Sequence, residues 1–241
     1  MCTVTYIPSG DTVFLTSNRD EKIARGGAEF PKTYSFSTGE MLFPKDQKGG
    51  TWIAAHENGN ALVLLNGAFL SHIPTPPYRK SRGLILLDLA DSPTPYNSFL
   101  AINLSGIEPF TLIILDDGKL FECRWDGNRK HEKSLPADAA HIWSSSTLYN
   151  SMVMEKRETW FSAWLDKNPS PSLKDILHFH QFTGDGDQAN DLRMSRDGIL
   201  CTVSISSICI RDQHSMMTYF DMITREESIT ELPHIYSTVG R

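Results

Sequence analysis

The 241-residue chain is long enough for one large domain or two small ones, and 40% hydrophobic with 22% charged residues is an ordinary globular composition. A formal net charge of −6 argues against a nucleic-acid partner, whose phosphates favour basic surfaces. No apolar run approaches the roughly 20 residues that span a bilayer. No basic, apolar leader precedes the first strand pattern, so no membrane span and a cytoplasmic location are expected.

Residues 2–8 and 12–18 are two β-rich runs around the turn signal Ser9-Gly10-Asp11, which predicts a hairpin that returns Asn18 to Asp20 beside Cys2. Residues 23–50, rich in Gly, Lys and aromatics, read as loop with short extended pieces. Runs 51–56 and 60–66 flank Glu57-Asn58-Gly59 and predict a second hairpin. The three prolines of residues 67–80 prevent regular structure, and Phe69, Leu70 and Tyr78 make that stretch a binding loop. Phe69 and Tyr78, together with Trp52, are the candidate substrate contacts.

Ser81 can cap a helix over 82–90, and Thr94-Pro95 opens another over 95–103. Strands return at 110–116 and 119–126 around Asp117-Gly118, and a short extended stretch at 139–145 runs into Ser144-Ser145-Ser146. The strongest helical period is 151–166, with Val153, Trp160 and Trp164 recurring beside Met154, Phe161 and Leu165. Pro169 and Pro171 stop it, and Ser172 opens a helix to about 181 with His180 on its apolar face. Strands at 200–211 and 215–231 finish the chain. This order is α+β, or a layered αββα arrangement, and not alternating βαβ. With no internal repeat and no linker, residues 1–241 read as a single domain.

Cys2 directly follows the initiator methionine. Removal of Met1 would place a thiol and a free α-amino group on one residue, a nucleophile beside its own base. An α-amino group titrates near pH 7.7–8.0, so a useful fraction is free at neutrality. From position alone, Cys2 also reads as a small hydrophobe on an edge strand. In a strand, Asn18 and Asp20 share one face and Arg19 takes the other. Asp20 can accept from the α-ammonium group, Asn18 can orient the same group or the substrate, and Arg19 can stabilise negative charge. The same run also fits a surface ion pair closing a hairpin. Asn66 ends an apolar strand, where its amide can donate to an oxyanion; Asn66-Gly67 is equally a turn dipeptide.

Other groups carry less chemistry. The serine run lacks a G-x-S-x-G signature. His178 and His180 are two apart on a helix and diverge, so His180 reads as a satisfied core histidine. Cys2, Cys123, Cys201 and Cys209 form no C-x-x-C pair, and the last three read as buried thiols on core strands. The loop Gly184–Asp191 lacks the spacing and terminal glutamate of a calcium loop. No metal and no cofactor is expected.

Met1-Cys2-Thr3, Thr16-Ser17-Asn18-Arg19-Asp20-Glu21 and Gly49-Gly50-Thr51-Trp52-Ile53 together resemble the NRDE family, also called the transport and Golgi organisation family, over nearly the whole chain. That family resembles the N-terminal-nucleophile hydrolases of the penicillin V acylase and bile-salt hydrolase branch. The resemblance implies a four-layer αββα sandwich with Cys2 as nucleophile, Asp20 holding its amino group and Asn66 in the oxyanion hole. Three departures stand out. Arg19 follows Asn18, whereas the acylase arginine precedes the asparagine. Ser145 replaces a second active-site asparagine. Thr202 to Ser206 offer no match for a late arginine. Members of the family have also been linked to haem or lipid handling.

The first expectation is therefore an N-terminal-cysteine hydrolase of a linear amide bond in a small molecule, with Cys2, Asp20, Asn66, Arg19, Asn18 and Ser145 as its catalytic set. The rivals are a non-catalytic binding or trafficking protein for a hydrophobic ligand such as haem or lipid, and a metabolic repair protein. The partner in each case is a small molecule; the sequence carries no sign of oligomeric state.

Overall fold

A computed structural model describes residues 3–235. β1 (Thr3–Ser9) and β2 (Thr12–Lys22) form the expected hairpin, with Thr3 opposite Asn18. β2 runs four residues past its expected end, which carries Arg19 and Asp20 inside regular strand. The stretch expected as loop instead contains β3 (Glu29–Ser35) and β4 (Glu40–Lys45). β5 (Ile53–His56), β6 (Ala61–Asn66), α1 (Arg82–Ala90), α2 (Pro95–Ala101), β7 (Phe110–Asp116) and β8 (Lys119–Trp125) follow the expected positions. Lys130–Leu135 adds an unexpected strand, β9, before β10 (His141–Ser144). α3 (Ser151–Lys167) and α4 (Leu173–Phe182) come next, then β11 (Ser195–Arg196) and β12 (Leu200–Arg211). The expected long last strand is two, β13 (His214–Asp221) and β14 (Glu227–Pro233), joined by a turn in which Arg225 has a positive φ of 64°.

The strands form two antiparallel sheets. Sheet I has the order β10-β1-β2-β12-β13-β14, with β11 on β12. Sheet II runs β3-β4-β5-β6-β7-β8-β9. β3 and β9 are the edges of sheet II, and that explains why they escaped the sequence reading. An edge strand packs on few neighbours and carries charge that discourages pairing with other chains, as the Lys130-His131-Glu132-Lys133 run does.

Period-2 alternation sends each sheet's side chains into two different cores. Val4, Tyr6 and Leu15 of sheet I meet Ile53, Val63 and Ile113 of sheet II in the central layer. On the far side of sheet II, Leu62, Leu64, Leu112 and Ile114 pack under α1 and α2 with Leu86 and Phe99. On the far side of sheet I, Ile7 and Phe14 pack under α3 and α4 with Phe161, Ile176 and Phe179. The result is four layers, αββα. The helices are set by their caps: Ser81 accepts from Leu84 N–H at the start of α1. Ser172 and Asp175 form a reciprocal capping box at α4.

Candidate active site

β2 distributes the Asn-Arg-Asp run across its two faces. Arg19 points into the space between the sheets, with its guanidinium 4.7 Å above the Trp52 ring. Asn18 and Asp20 point the other way, towards the α3/α4 layer. The expected parity therefore holds.

On the inter-sheet side, Arg19, Trp52, Asn66 and Tyr78 line one cavity of about 320 Å³ with Thr51, Lys48 and Arg82. Gly83 belongs to the same wall, and only a residue without Cβ fits there: a Cβ would stand 2.7 Å from the Thr51 carbonyl oxygen. The cavity continues into a depression of about 460 Å³ that shares Asn66, Arg82 and Glu108 and reaches Asp20, Thr147 and Leu148. Asp20 and Asn66 thus border the same cleft. Cys2 lies outside the described residues. Thr3, its covalent neighbour, is fully buried at the start of β1.

Arg19 is 4% exposed, and burial pushes its guanidinium below the ordinary arginine value. Its Nη1 has no hydrogen-bond partner among the described residues, and neither has Nε1 of the buried Trp52. Asp20 is held from two sides. Tyr149 donates its hydroxyl to Oδ2 at 2.8 Å, and Thr202 donates to Oδ1 at 2.5 Å. A bulge between Thr202 and Ser204, facing the Arg19–Asp20 step, aims the Thr202 hydroxyl at that carboxylate.

Other predicted residues have different places. Asn18 is directed into the α4 layer and away from the cleft. Its Nδ2 donates to the carbonyls of His180 and Leu192 at 3.2 and 2.7 Å, so its Oδ1 must accept from His180 Nδ1 at 2.7 Å. Nδ1 therefore carries a proton, and in the neutral ring Nε2 accepts from the Thr5 hydroxyl at 2.8 Å. Burial lowers the His180 pKa to about 3, helped by the charge of Arg157. Ser145 lies behind Asn66, and its Oγ donates to the Asn66 carbonyl at 2.8 Å. Phe69 departs from Tyr78: it lines a separate depression with Leu70 and Ser71, and its ring meets His131 edge-on at 4.9 Å.

The sequence reading missed Arg157. Its position on α3 falls on the buried face, where the period called for an apolar residue, and it is 0% exposed. Nη1 donates to the Thr3 hydroxyl at 2.6 Å, and Nη2 donates to the carbonyls of Asn190 and Asp191 at 3.0 and 2.8 Å. The guanidinium stacks 3.6 Å from the Tyr149 ring, whose hydroxyl holds Asp20. The Gly184–Asp191 loop thus supplies the carbonyl cradle of a buried arginine. A charge at a core-facing helix position was the available signal.

Three thiols are described. Cys123 is buried on β8, and burial raises its pKa to about 12. Cys209 is also buried, and burial raises its pKa too. Cys201 is half-buried near Ser195 instead of lying in the core. Among the described residues no group of three or more His, Cys, Asp or Glu side chains is placed to hold a metal ion, and no helix is long and apolar enough to cross a membrane.

The two antiparallel sheets between helix pairs are similar in fold to the N-terminal-nucleophile hydrolases. The chain is similar over 98% of its length to 97% of a mutant conjugated bile acid hydrolase from Clostridium perfringens, at 10% identity and a TM-score of 0.62. An arginine-to-leucine variant of the same hydrolase matches over 99% of this chain and 100% of that one, at 10% identity and TM-score 0.56. Penicillin V acylase from Agrobacterium tumefaciens matches over 96% and 86%, at 12% identity and TM-score 0.51. Identities this low speak to the fold alone. No curated protein matches the sequence. The family model for Transport and Golgi organisation 2 matches residues 1–231, and the chain belongs to that family.

Proposed function

We propose that the protein is an N-terminal-cysteine hydrolase that cleaves a linear amide bond in a small molecule. The observation that carries this reading is the cleft at the start of the β1–β2 hairpin, which Asp20 and Asn66 both border. Cys2, freed of Met1, attacks the carbonyl through its thiolate while its own α-amine takes the thiol proton. Asp20, held by Tyr149 and Thr202, orients that amine as its hydrogen-bond acceptor. The Asn66 amide and a backbone N–H receive the developing oxyanion. The amine then protonates the leaving nitrogen, and water hydrolyses the thioester. Ser145 acts through Asn66 by fixing its carbonyl, and Asn18 acts through the hairpin by anchoring it to α4. The substrates named for the bile acid hydrolase and the penicillin acylase motivate the amide class and no particular compound.

The test is a panel of short N-acyl amides with intact-mass detection of an acyl adduct on Cys2. The expected result is a mature chain beginning at Cys2, an adduct that Cys2→Ala loses, and amide cleavage that Asn66→Ala slows by ~10²–10³-fold. A protein from its native host that retains Met1 would sink the mechanism, because the amine would then belong to the wrong residue.

A second reading is a non-catalytic carrier of a hydrophobic ligand. The loop after β6 favours it, since its Leu70 and Ile73 are 81% and 87% exposed. Tight haem binding without any amide turnover would favour the carrier.

A further inference from the structure

The inter-sheet cavity has an electrostatic character opposite to that of the chain. Its walls carry five cationic side chains against three carboxylates, in a protein of net charge −6. Most of those cations are already neutralised. Arg25 meets Glu21 at 2.6 Å and Asp46 at 3.2 Å, Arg82 meets Glu108 at 3.1 Å, and Lys80 meets Asp88 at 2.6 Å. Arg19 and Lys48 have no such carboxylate among the described residues. Lys48 is exposed, whereas Arg19 is buried. Glu21 and Asp46 favour its charge only from beyond contact distance. A buried guanidinium with no carboxylate in contact is costly unless something completes it.

The donors left open point to what completes it. Arg19 Nη1 and Trp52 Nε1 are both buried, both lack a partner among the described residues, and both belong to residues that line this cavity. Guanidinium and indole nitrogens only donate. A ligand group that satisfies them must accept, and a negative charge would also offset Arg19. A hydroxyl or a neutral amide would supply an acceptor without the charge.

We propose that this cavity is an anion subsite in which Arg19 and Trp52 receive a carboxylate or phosphate of the small molecule the protein acts on. The identification of that molecule as a substrate rests on the hydrolase reading above; the anion subsite itself does not require turnover. The cavity of about 320 Å³ takes a compact anion-bearing end of a molecule and leaves the remainder in the adjoining cleft.

The experiment measures binding by calorimetry in the full chain carrying Cys2→Ala, so that catalysis cannot confound it. N-butyrylglycine and N-butyryl-2-aminoethyl phosphate are the anionic probes, and N-butyrylglycinamide is the neutral probe. At least one anion should bind tenfold or more tighter than the neutral amide, and the stronger of the two identifies the anion type. Arg19→Met should bring the ratio close to one, Arg19→Lys should restore part of it, and Trp52→Phe should weaken the anion severalfold while keeping the ring. Circular dichroism and thermal melting confirm that each variant is folded. Equal affinity for charged and neutral probes, no binding of any probe at millimolar concentration, or an undiminished ratio in folded Arg19→Met overturns the subsite. Amide cleavage without anion preference would leave the hydrolase reading standing and remove this one. Anion preference without any cleavage would do the reverse.

Discussion

The two outer layers of the sandwich are built on different principles. Under α1 and α2, eighteen buried residues form a core of mostly aliphatic and aromatic side chains, which burial chiefly stabilises. Under α3 and α4 the apolar cluster has seven buried residues, and beside it lie the buried Arg157, His180, Asn18 and Asp20. Hydrophobic contact is non-directional, so it can hold a helix on a sheet without fixing any one atom. A hydrogen-bonded network loses more when a member moves, so it fixes direction. The polar layer is the one that grips the N-terminal hairpin, through Thr3, Thr5, Asn18 and Asp20. The lesson is that one side of this molecule supplies stability and the other supplies position.

Removing Phe99 from the apolar layer tests the first half. Phe99→Ala should destabilise by about 3–5 kcal/mol in urea titration. Iodoacetamide labelling of Cys2 in the folded state should keep its wild-type rate. A matching slowdown in labelling would break the division between the layers.

Acid should act through the polar layer. His180 is neutral when folded, with a pKa near 3, against an ordinary value of 6.5 when unfolded. Between those values the unfolded chain binds the extra proton. Its contribution to stability is therefore complete above pH 6.5 and is lost as pH falls towards 3. From pH 6.5 to 4 this amounts to about 3 kcal/mol. Urea titrations across that range should show the loss, and His180→Gln should flatten it. An unchanged acid limb in that variant would remove His180 as the cause.

Arg157→Met should cost about 1–3 kcal/mol for the acceptors it abandons. It should also slow Cys2 labelling severalfold and shift its pH profile, because Thr3 and Tyr149 lose their clamp. Arg157→Lys should recover part of both. Equal loss of stability with unaltered labelling would make Arg157 a packing residue only.

The smallest effect belongs to the caps. Ser172→Ala and Ser81→Ala should each destabilise by about 1 kcal/mol. By hydrogen exchange, only the Ser172 change should loosen the amides around Asn18, because α4 carries His180. Equal loosening from both would mean that the layers are not independent.

Local patterns fixed much of this in advance. The turn at Ser9-Gly10-Asp11, the caps Ser81 and Ser172, and the alternating runs of β5 to β8 lie within a few residues of chain and depend on near neighbours alone. The opposite faces of Asn18 and Arg19 followed from strand geometry. Tertiary structure decided what each face meets. Asn18 reaches His180, 162 residues away, and so anchors a helix, while Arg19 reaches Trp52 and a cavity. Residues as close as Phe69 and Tyr78 line different hollows, because the proline-rich loop between them turns away from one and into the other. β3 and β9 became strands because β4 and β8 offered them partners, which no short window of polar sequence records. Arg157 sits on the buried face of α3 because the Asn190 and Asp191 carbonyls and the Tyr149 ring come together around it. A residue's backbone preference is local, but the partner that makes a buried charge tolerable is supplied by segments distant in the chain.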